Sequence, residues 1–336
     1  SRVTRSAQGR SSFRRLTRYE YDYALRDLLG LNHSLVDRLP PETTSDDGFK
    51  NSSELLQMSS MQFQTYREIG LKALRRAIVI GERPKEVKYV LPLEKLFEQT
   101  STSQKAKVFG RDDKKYASHR RRSHLLNRET GVGVPFSGGM YQPLDEKAAE
   151  QVRPSSKVYM ELPCNNEWKV GLDRFLPDEG TMRISIRAAR STEDLPGDAA
   201  LQLGFSAHTS NNANFSNTIS ERDVPVKAPA GKPEFIHFDI QLGDIQRNPF
   251  RKLETTFPRR DEFLHIRNVT LVNGLHVQFD HVEITAPFYE QWPPKSHTAI
   301  FFDSKNRADE AVYAREVLEQ FMARAWRRAV TKPEVD

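Results

Sequence analysis

Between about Lys157 and Phe288, apolar and polar residues alternate with a period of two in several short runs. In Thr181–Arg190, Met182, Ile184, Ile186 and Ala188 take one phase and Arg183, Ser185 and Arg187 the other. A strand with one buried face requires this pattern. Ile236, Phe238, Ile240 and Leu242 repeat it against His237, Asp239 and Gln241, which points His237 outward, and Leu264, Ile266, Val269 and Leu271 predict another strand. Leu275, Val277 and Phe279 share a phase that Val282 and Ile284 resume one residue late, so a bulge is expected at Asp280–His281. Gly, Pro, Asn and Asp clusters separate these runs and no helical repeat intervenes. Residues 157–288 therefore predict an antiparallel β-sandwich of the jelly-roll kind.

The period changes towards both ends of the chain. Thr17-Arg-Tyr-Glu20 fits a capping box with Leu16 and Tyr21 in the staple positions. Tyr21, Ala24, Leu25, Leu28 and Leu29 form a stripe at helical spacing, closed by Gly30. From Ser59 to Ile80 the helical period returns through Met61, Phe63, Tyr66, Ile69, Leu74 and Ile78, so residues 13–82 predict a helical domain after a linker at 1–12. Residues 83–156 read as a basic, loop-rich connector, with a strand at Val87–Leu91 and a helical turn at Leu93–Glu98. After the sandwich, Pro-containing residues 289–305 form a linker. Residues 306–336 begin a further helical domain, carried by Val312, Val317, Leu318, Phe321, Met322 and Ala325. The fold class is α+β and multidomain, a sandwich with helices before and after it in sequence.

The 336 residues carry a formal net charge of +6 with 29% charged residues, a mild basic bias that a solvated surface accounts for more readily than nucleic acid. Cys164 is the single cysteine, which excludes an internal disulfide and a Cys-x-x-Cys-His haem attachment. No apolar run reaches the length of a membrane span. The chain opens on Ser1 without a methionine, so a signal peptide or anchor is expected outside it.

No zinc-protease helix motif, Walker loop or Gly-x-Ser-x-Gly elbow is present. Gly131-Val-Gly133-Val-Pro135 lacks the third glycine of a dinucleotide fingerprint. Asp46-Asp47-Gly48 lacks the ligand spacing of a calcium loop and reads as a turn. His237, His265, His276 and His281 fall on predicted strands without a spacing that pairs them. Glu161, Asp173, Asp239, Asp280 and Glu283 offer carboxylates, but no spacing selects two for acid–base work.

Sugar recognition asks for less: an exposed aromatic to lie against a pyranose face, with amide and acid groups for hydroxyls. Trp168, placed in a loop after Glu161-Leu-Pro, and the polar tip holding Asn211, Asn212, Asn214 and Phe215 are the candidates. Asp280 is the candidate ligand of a structural calcium, by general likeness to carbohydrate-binding sandwiches. Arg120, Arg121 and Arg122 are the candidate polyanion contacts. Sugar binding and pure scaffolding remain open alternatives, and a fold alone does not choose between them.

Arg15-Leu-Thr-Arg-Tyr-Glu-Tyr, Leu25-Arg-Asp-Leu-Leu-Gly-Leu, Arg38-Leu-Pro-Pro-Glu, Asp47-Gly-Phe-Lys-Asn and Met58-Ser-Ser resemble, in that order, the helical domain of large exported planctomycete-type proteins of unknown function. Phe321-Met-Ala-Arg-Ala-Trp-Arg-Arg-Ala-Val-Thr-Lys-Pro-Glu resembles the opening of the next helical domain in that family, with Ala329 where relatives often have Pro. The resemblance covers about the first 80 and last 30 residues by motif. It implies an exported, periplasmic or cell-surface multidomain protein, with neighbouring domains of the same protein as partners; the jelly-roll pattern between the two helical motifs adds the expectation that this protein handles polysaccharide. It also implies a c-type haem only in a domain upstream, and hence a rival role as a docking segment of a cytochrome oxidoreductase. No catalytic residue is expected in this segment.

Overall fold

The computed structural model describes residues 15–36, 39–42, 56, 58–103, 107–110, 113–114, 118, 121–209, 214–255 and 257–336. In chain order the elements are α1 (Arg18–Leu29), α2 (Ser60–Ala77), β1 (Val87–Val90), α3 (Leu93–Ser101), β2 (His124–Asn127), β3 (Gly133–Pro135), β4 (Gly138–Met140), α4 (Glu146–Gln151), β5 (Val158–Leu162), β6 (Asn166–Asp173) and β7 (Thr181–Arg190). They continue with β8 (Ala199–Ala207), β9 (Phe215–Thr218), β10 (Val224–Val226), β11 (Glu234–Gln241), β12 (Glu262–Asn268), β13 (Val277–Ala286), α5 (Lys295–Thr298), α6 (Glu310–Trp326) and α7 (Lys332–Val335). Two compact units result: Ser1–Arg83 with Tyr289–Asp336, and Pro84–Phe288.

In the helical unit, the Thr17 side chain accepts from Glu20 N–H and the Glu20 carboxylate accepts from Thr17 N–H, so the capping box forms as the sequence predicts. Gly30 ends α1 at φ 66°, a left-handed conformation that favours glycine. Ser59 and Gln62 cap α2 in the same reciprocal way. Leu25, Leu29, Tyr66, Ile69, Ala73 and Ala77 of α1 and α2 form one core with Ile300 and Val317. The C-terminal residues thus share a core with the N-terminal helices.

The second unit is a β-sandwich. One sheet has seven strands in the order β11-β7-β13-β5-β2-β3, with β1 also paired to β13. The other has six in the order β10-β8-β12-β6-β4, with β9 also paired to β8. Strands β5 to β8 and β11 to β13 alternate between the sheets, and each alternation sends one apolar phase inward. Met182, Ile184, Ile186 and Ala188 of β7 meet Leu201, Leu203 and Phe205 of β8, Leu264 and Ile266 of β12, and Phe279, Val282 and Ile284 of β13 in a single core. The ladder of β13 on β7 shifts register between Phe279 and His281, the bulge the phase slip predicts.

Residues 83–156, read from sequence as a connector, supply β1 to β4 to the two sheets. β4 lies parallel to β6, and a Cβ on Gly138 would stand 2.0 Å from the Lys169 carbonyl oxygen, so this approach needs glycine. β12 ends at Asn268 instead of running on through Leu271. The Asn268 amide donates to the Leu162 carbonyl and its oxygen accepts from Thr270 N–H, turning the chain and leaving Leu271 97% exposed.

Candidate functional site

The phase of β7, β11 and β13 that does not enter the core covers the outer face of the seven-stranded sheet. Register sets its rows: Phe235, Arg187 and His281; then His237, Ser185 and Glu283; then Asp239, Arg183 and Thr285. Phe235 is the anomaly among them. It stands on the polar phase of β11, 48% exposed, where alternation calls for a hydrophilic residue. The His237 ring lies parallel to it with centroids 6.0 Å apart, and the His281 ring meets it edge-on at 5.8 Å.

Polar groups of both signs surround this ring. Ser185 Oγ lies 2.9 Å from His237 Nδ1. Arg183 makes two hydrogen bonds to Asp239, at 2.7 and 2.6 Å, and its guanidinium sits 3.8 Å from the centroid of the Phe288 ring. His281 is buried, with Nε2 3.6 Å from Glu283 and Nδ1 without a partner among the described residues. Arg187 donates through Nη1 to both oxygens of Asp280, at 3.0 and 2.9 Å, and Arg128 approaches the same carboxylate at 3.4 Å. Burial pushes the Asp280 carboxyl up, and the two guanidinium groups pull it back only in part. Farther along the same sheet, Glu161 accepts from Gln278 and pairs with His276 at 2.8 Å. Burial works to raise this carboxyl, but His276, His124 and Gln278 together hold it below its ordinary value. Such a face can stack a sugar ring on Phe235 and bond its hydroxyls through the imidazole and guanidinium groups beside it.

The residues selected from sequence fall elsewhere. Trp168 is not in a loop: it lies on β6, 0% exposed, stacked on Phe279 at 5.4 Å and close to Phe136. It fills the core and offers no face to a ligand. Asn211, Asn212 and Arg120 lie outside the described residues. Asn214 closes the hairpin by accepting from Thr209 N–H, and Phe215 packs against the sandwich core. Arg121 and Arg122 are exposed at the start of β2. Asp280 is unsuited to calcium, which takes six to eight oxygen ligands, because two arginines already occupy its oxygens with positive charge. No group of three or more His, Cys, Asp or Glu able to hold a metal occurs among the described residues. His265 belongs to β12 on the opposite sheet from His237 and His281, so the strand histidines do not converge. The sequence signal that marks Phe235 was available, as an aromatic out of phase with Ile236, Phe238 and Ile240.

Residues 14–79 match a family described as "PSD3: Protein of unknown function (DUF1587)". A search of curated proteins finds no match. Among solved structures, the chain is similar to the CBM22-1 xylan-binding domain from Paenibacillus barcinonensis Xyn10C, at 9% identity and TM-score 0.26, over 40% of this chain and 75% of that one. It is also similar to the xylan-binding module CBM15, at 11% identity and TM-score 0.28, over 54% of this chain and 95% of that one. A third similarity is to a family 16 carbohydrate-binding module, at 11% identity and TM-score 0.23, over 40% of this chain and 80% of that one.

Proposed function

We propose that the sandwich unit holds a neutral polysaccharide strand on the outer face of its seven-stranded sheet, a binding role that asks for no catalysis at that face. The observation that carries this reading is Phe235, exposed by 48% on a strand phase otherwise polar, with Arg187 opposite it in the ladder and the His237 and His281 rings against it. An aromatic ring with one face open to water gains from a sugar face laid against it, because the contact removes apolar area from water. Covering the exposed part of the ring removes on the order of 80 Å² from water, worth about 2 kcal/mol. The resemblance of the helical segments supports a setting in an exported multidomain protein, which on this reading handles polysaccharide at the bacterial surface.

Calorimetric titration of the chain with soluble neutral polysaccharides, at low and high salt, tests the proposal. Binding that persists at both salts, and weakens about tenfold or more in Phe235→Ala, is expected. Absence of binding across the panel, or affinity unchanged in Phe235→Ala, overturns it. Binding confined to sulfated glycans at low salt would point instead to the basic segment with Arg121 and Arg122.

A further inference from the structure

The opposite sheet carries a second constellation, independent of the sugar face. Strands β8, β12 and β6 are neighbours, and their outward phases bring Ser206, His265 and Glu167 into one chain of contacts. Ser206 Oγ lies 2.7 Å from His265 Nε2, and His265 Nδ1 lies 3.0 Å from Glu167 Oε2. An ionised carboxylate only accepts, so the imidazole proton resides on Nδ1. Nε2 then presents its lone pair, and the Ser206 hydroxyl donates to it. This is the order of atoms in which a serine is activated by a histidine that a carboxylate orients.

The charge state agrees with that order. Burial, together with Arg267 and Lys169, lowers the pKa of His265 against the opposing pull of Glu167, so the ring is neutral and basic at pH 7. The Glu167 carboxyl is held below its ordinary value by His265 and Arg267 against burial, and so stays ionised. Lys169 sits directly opposite His265 in the ladder, with Nζ 4.0 Å from the centroid of the Phe263 ring and 2.9 Å from His208 Nε2. Phe263 is in turn the residue opposite Ser206, so the ring under the ammonium group is the one beside the serine in the ladder. Ser206 is 3% exposed and His265 5% exposed. Beside them Arg267 lies across Gly204, where a Cβ would stand 2.7 Å from its Cζ. Its guanidinium is held by Glu167 at 3.1 Å and by the hydroxyls of Ser216 and Thr218 at 3.2 and 3.4 Å.

We propose that Ser206 is a nucleophile served by His265 as general base and Glu167 as the orienting group, that Arg267 is its movable cover, and that the site takes the acyl group of a carboxylic ester. Ser206 Oγ bonds to the ester carbonyl carbon while its proton passes to His265 Nε2. Lys169 offers positive charge to the carbonyl oxygen as it becomes an oxyanion, because the backbone amides on either side are committed to the sheet. The carbon–alkoxy bond then breaks, and the leaving alcohol takes the proton from His265. Water repeats the sequence on the acyl-serine: its proton goes to His265, the serine ester bond breaks, and Ser206 recovers the proton as the carboxylic acid departs.

The full chain is treated with a fluorophosphonate probe, and adducts are mapped by peptide mass spectrometry. Hydrolysis of p-nitrophenyl acetate is followed in parallel, and circular dichroism confirms that each variant is folded. An adduct on Ser206 is expected in the wild type, absent in Ser206→Ala. His265→Gln should lower the labelling rate on the order of 100-fold, the contribution expected of a general base. Arg267→Ala, which uncovers the serine, should label faster than the wild type. The labelling rate should rise with pH through the titration of His265, which faces Glu167, Lys169, Arg267 and His208. Glu167→Gln should move that midpoint. No Ser206 adduct in either the wild type or a folded Arg267→Ala variant overturns the proposal and leaves the trio as a buried strand-to-strand network. An adduct that survives His265→Gln at an unchanged rate overturns the role of the base.

Discussion

Glu262 is 0% exposed, and its carboxylate has no water to fall back on. Its Oε1 accepts from Arg247 Nε at 2.9 Å and from Asn248 N–H at 2.8 Å, while Oε2 accepts from Arg247 Nη2 at 2.6 Å. Arg247 is also buried and donates to the carbonyls of Pro177 and Leu176. Glu262→Ala would leave a guanidinium charge in the interior without its counterion and one backbone N–H without an acceptor. Breaking a buried pair from one side costs about 3–5 kcal/mol. In a unit of this size each kcal/mol moves the melting temperature by roughly 2–4 °C, so a drop of about 6–20 °C is expected. Removing both charges in Arg247→Met with Glu262→Leu takes away the stranded ion as well and leaves mainly the Asn248 N–H unpaired, at about 1–3 kcal/mol. Urea denaturation of the wild type, both single variants and the double variant yields the coupling energy directly. A loss below about 1 kcal/mol in Glu262→Ala, or a double variant equal to the sum of the singles, would refute this account of the pair.

Two further outcomes follow from the charge arrangement. The folded-state pKa values of His265 and Glu161 are both depressed, so in acid the unfolded chain binds more protons than the native one and stability falls with pH. The His265 contribution is complete above about pH 6.5 and the Glu161 contribution above about pH 4.3, each being lost as pH falls through the lower folded value. Urea midpoints measured from pH 7.5 down to pH 4 should decline. His265→Gln should flatten the upper part of the decline, and a midpoint that rises on acidification contradicts the sign. Calcium and chelator should each leave the melting temperature of the sandwich unchanged, since Arg187 and Arg128 already occupy Asp280. A calcium-dependent shift that Asp280→Asn abolishes would show that the carboxylate is a ligand after all.

Elements with a long, unbroken period were legible from the chain. The alternation of Thr181–Arg190 and Glu234–Gln241, the slip at Asp280 and both ends of α1 each state their structure in adjacent residues. Strands β2, β3 and β4 did not, because three or four residues cannot display a period, and Gly138 and Gly139 carry no side chain to show a phase. β8 was hidden for a related reason: Ala199, Ala200, Gly204 and Ala207 blur its alternation. Trp168 was misplaced although its phase was visible. Trp168, Val170 and Leu172 are separated by Glu167, Lys169 and Gly171, which marks the indole as inward. The same test applied to β11 picks out Phe235. The Ser206–His265–Glu167 contact was beyond reach, since its members come from three strands that only the ladder brings side by side.

The first and last strands of the sandwich lie against each other, with Val87 opposite Ala286 and Val90 opposite Glu283. The unit therefore begins and finishes at one place, so it can sit as a complete body within a host chain whose own parts lie on either side in sequence. Its hosts are the segments Ser1–Arg83 and Tyr289–Asp336, which share one core. On the ribosome this imposes an order. The N-terminal helices are made first but wait for Ile300 and Val317 to complete their packing, so the whole of the sandwich is synthesised before that core can close.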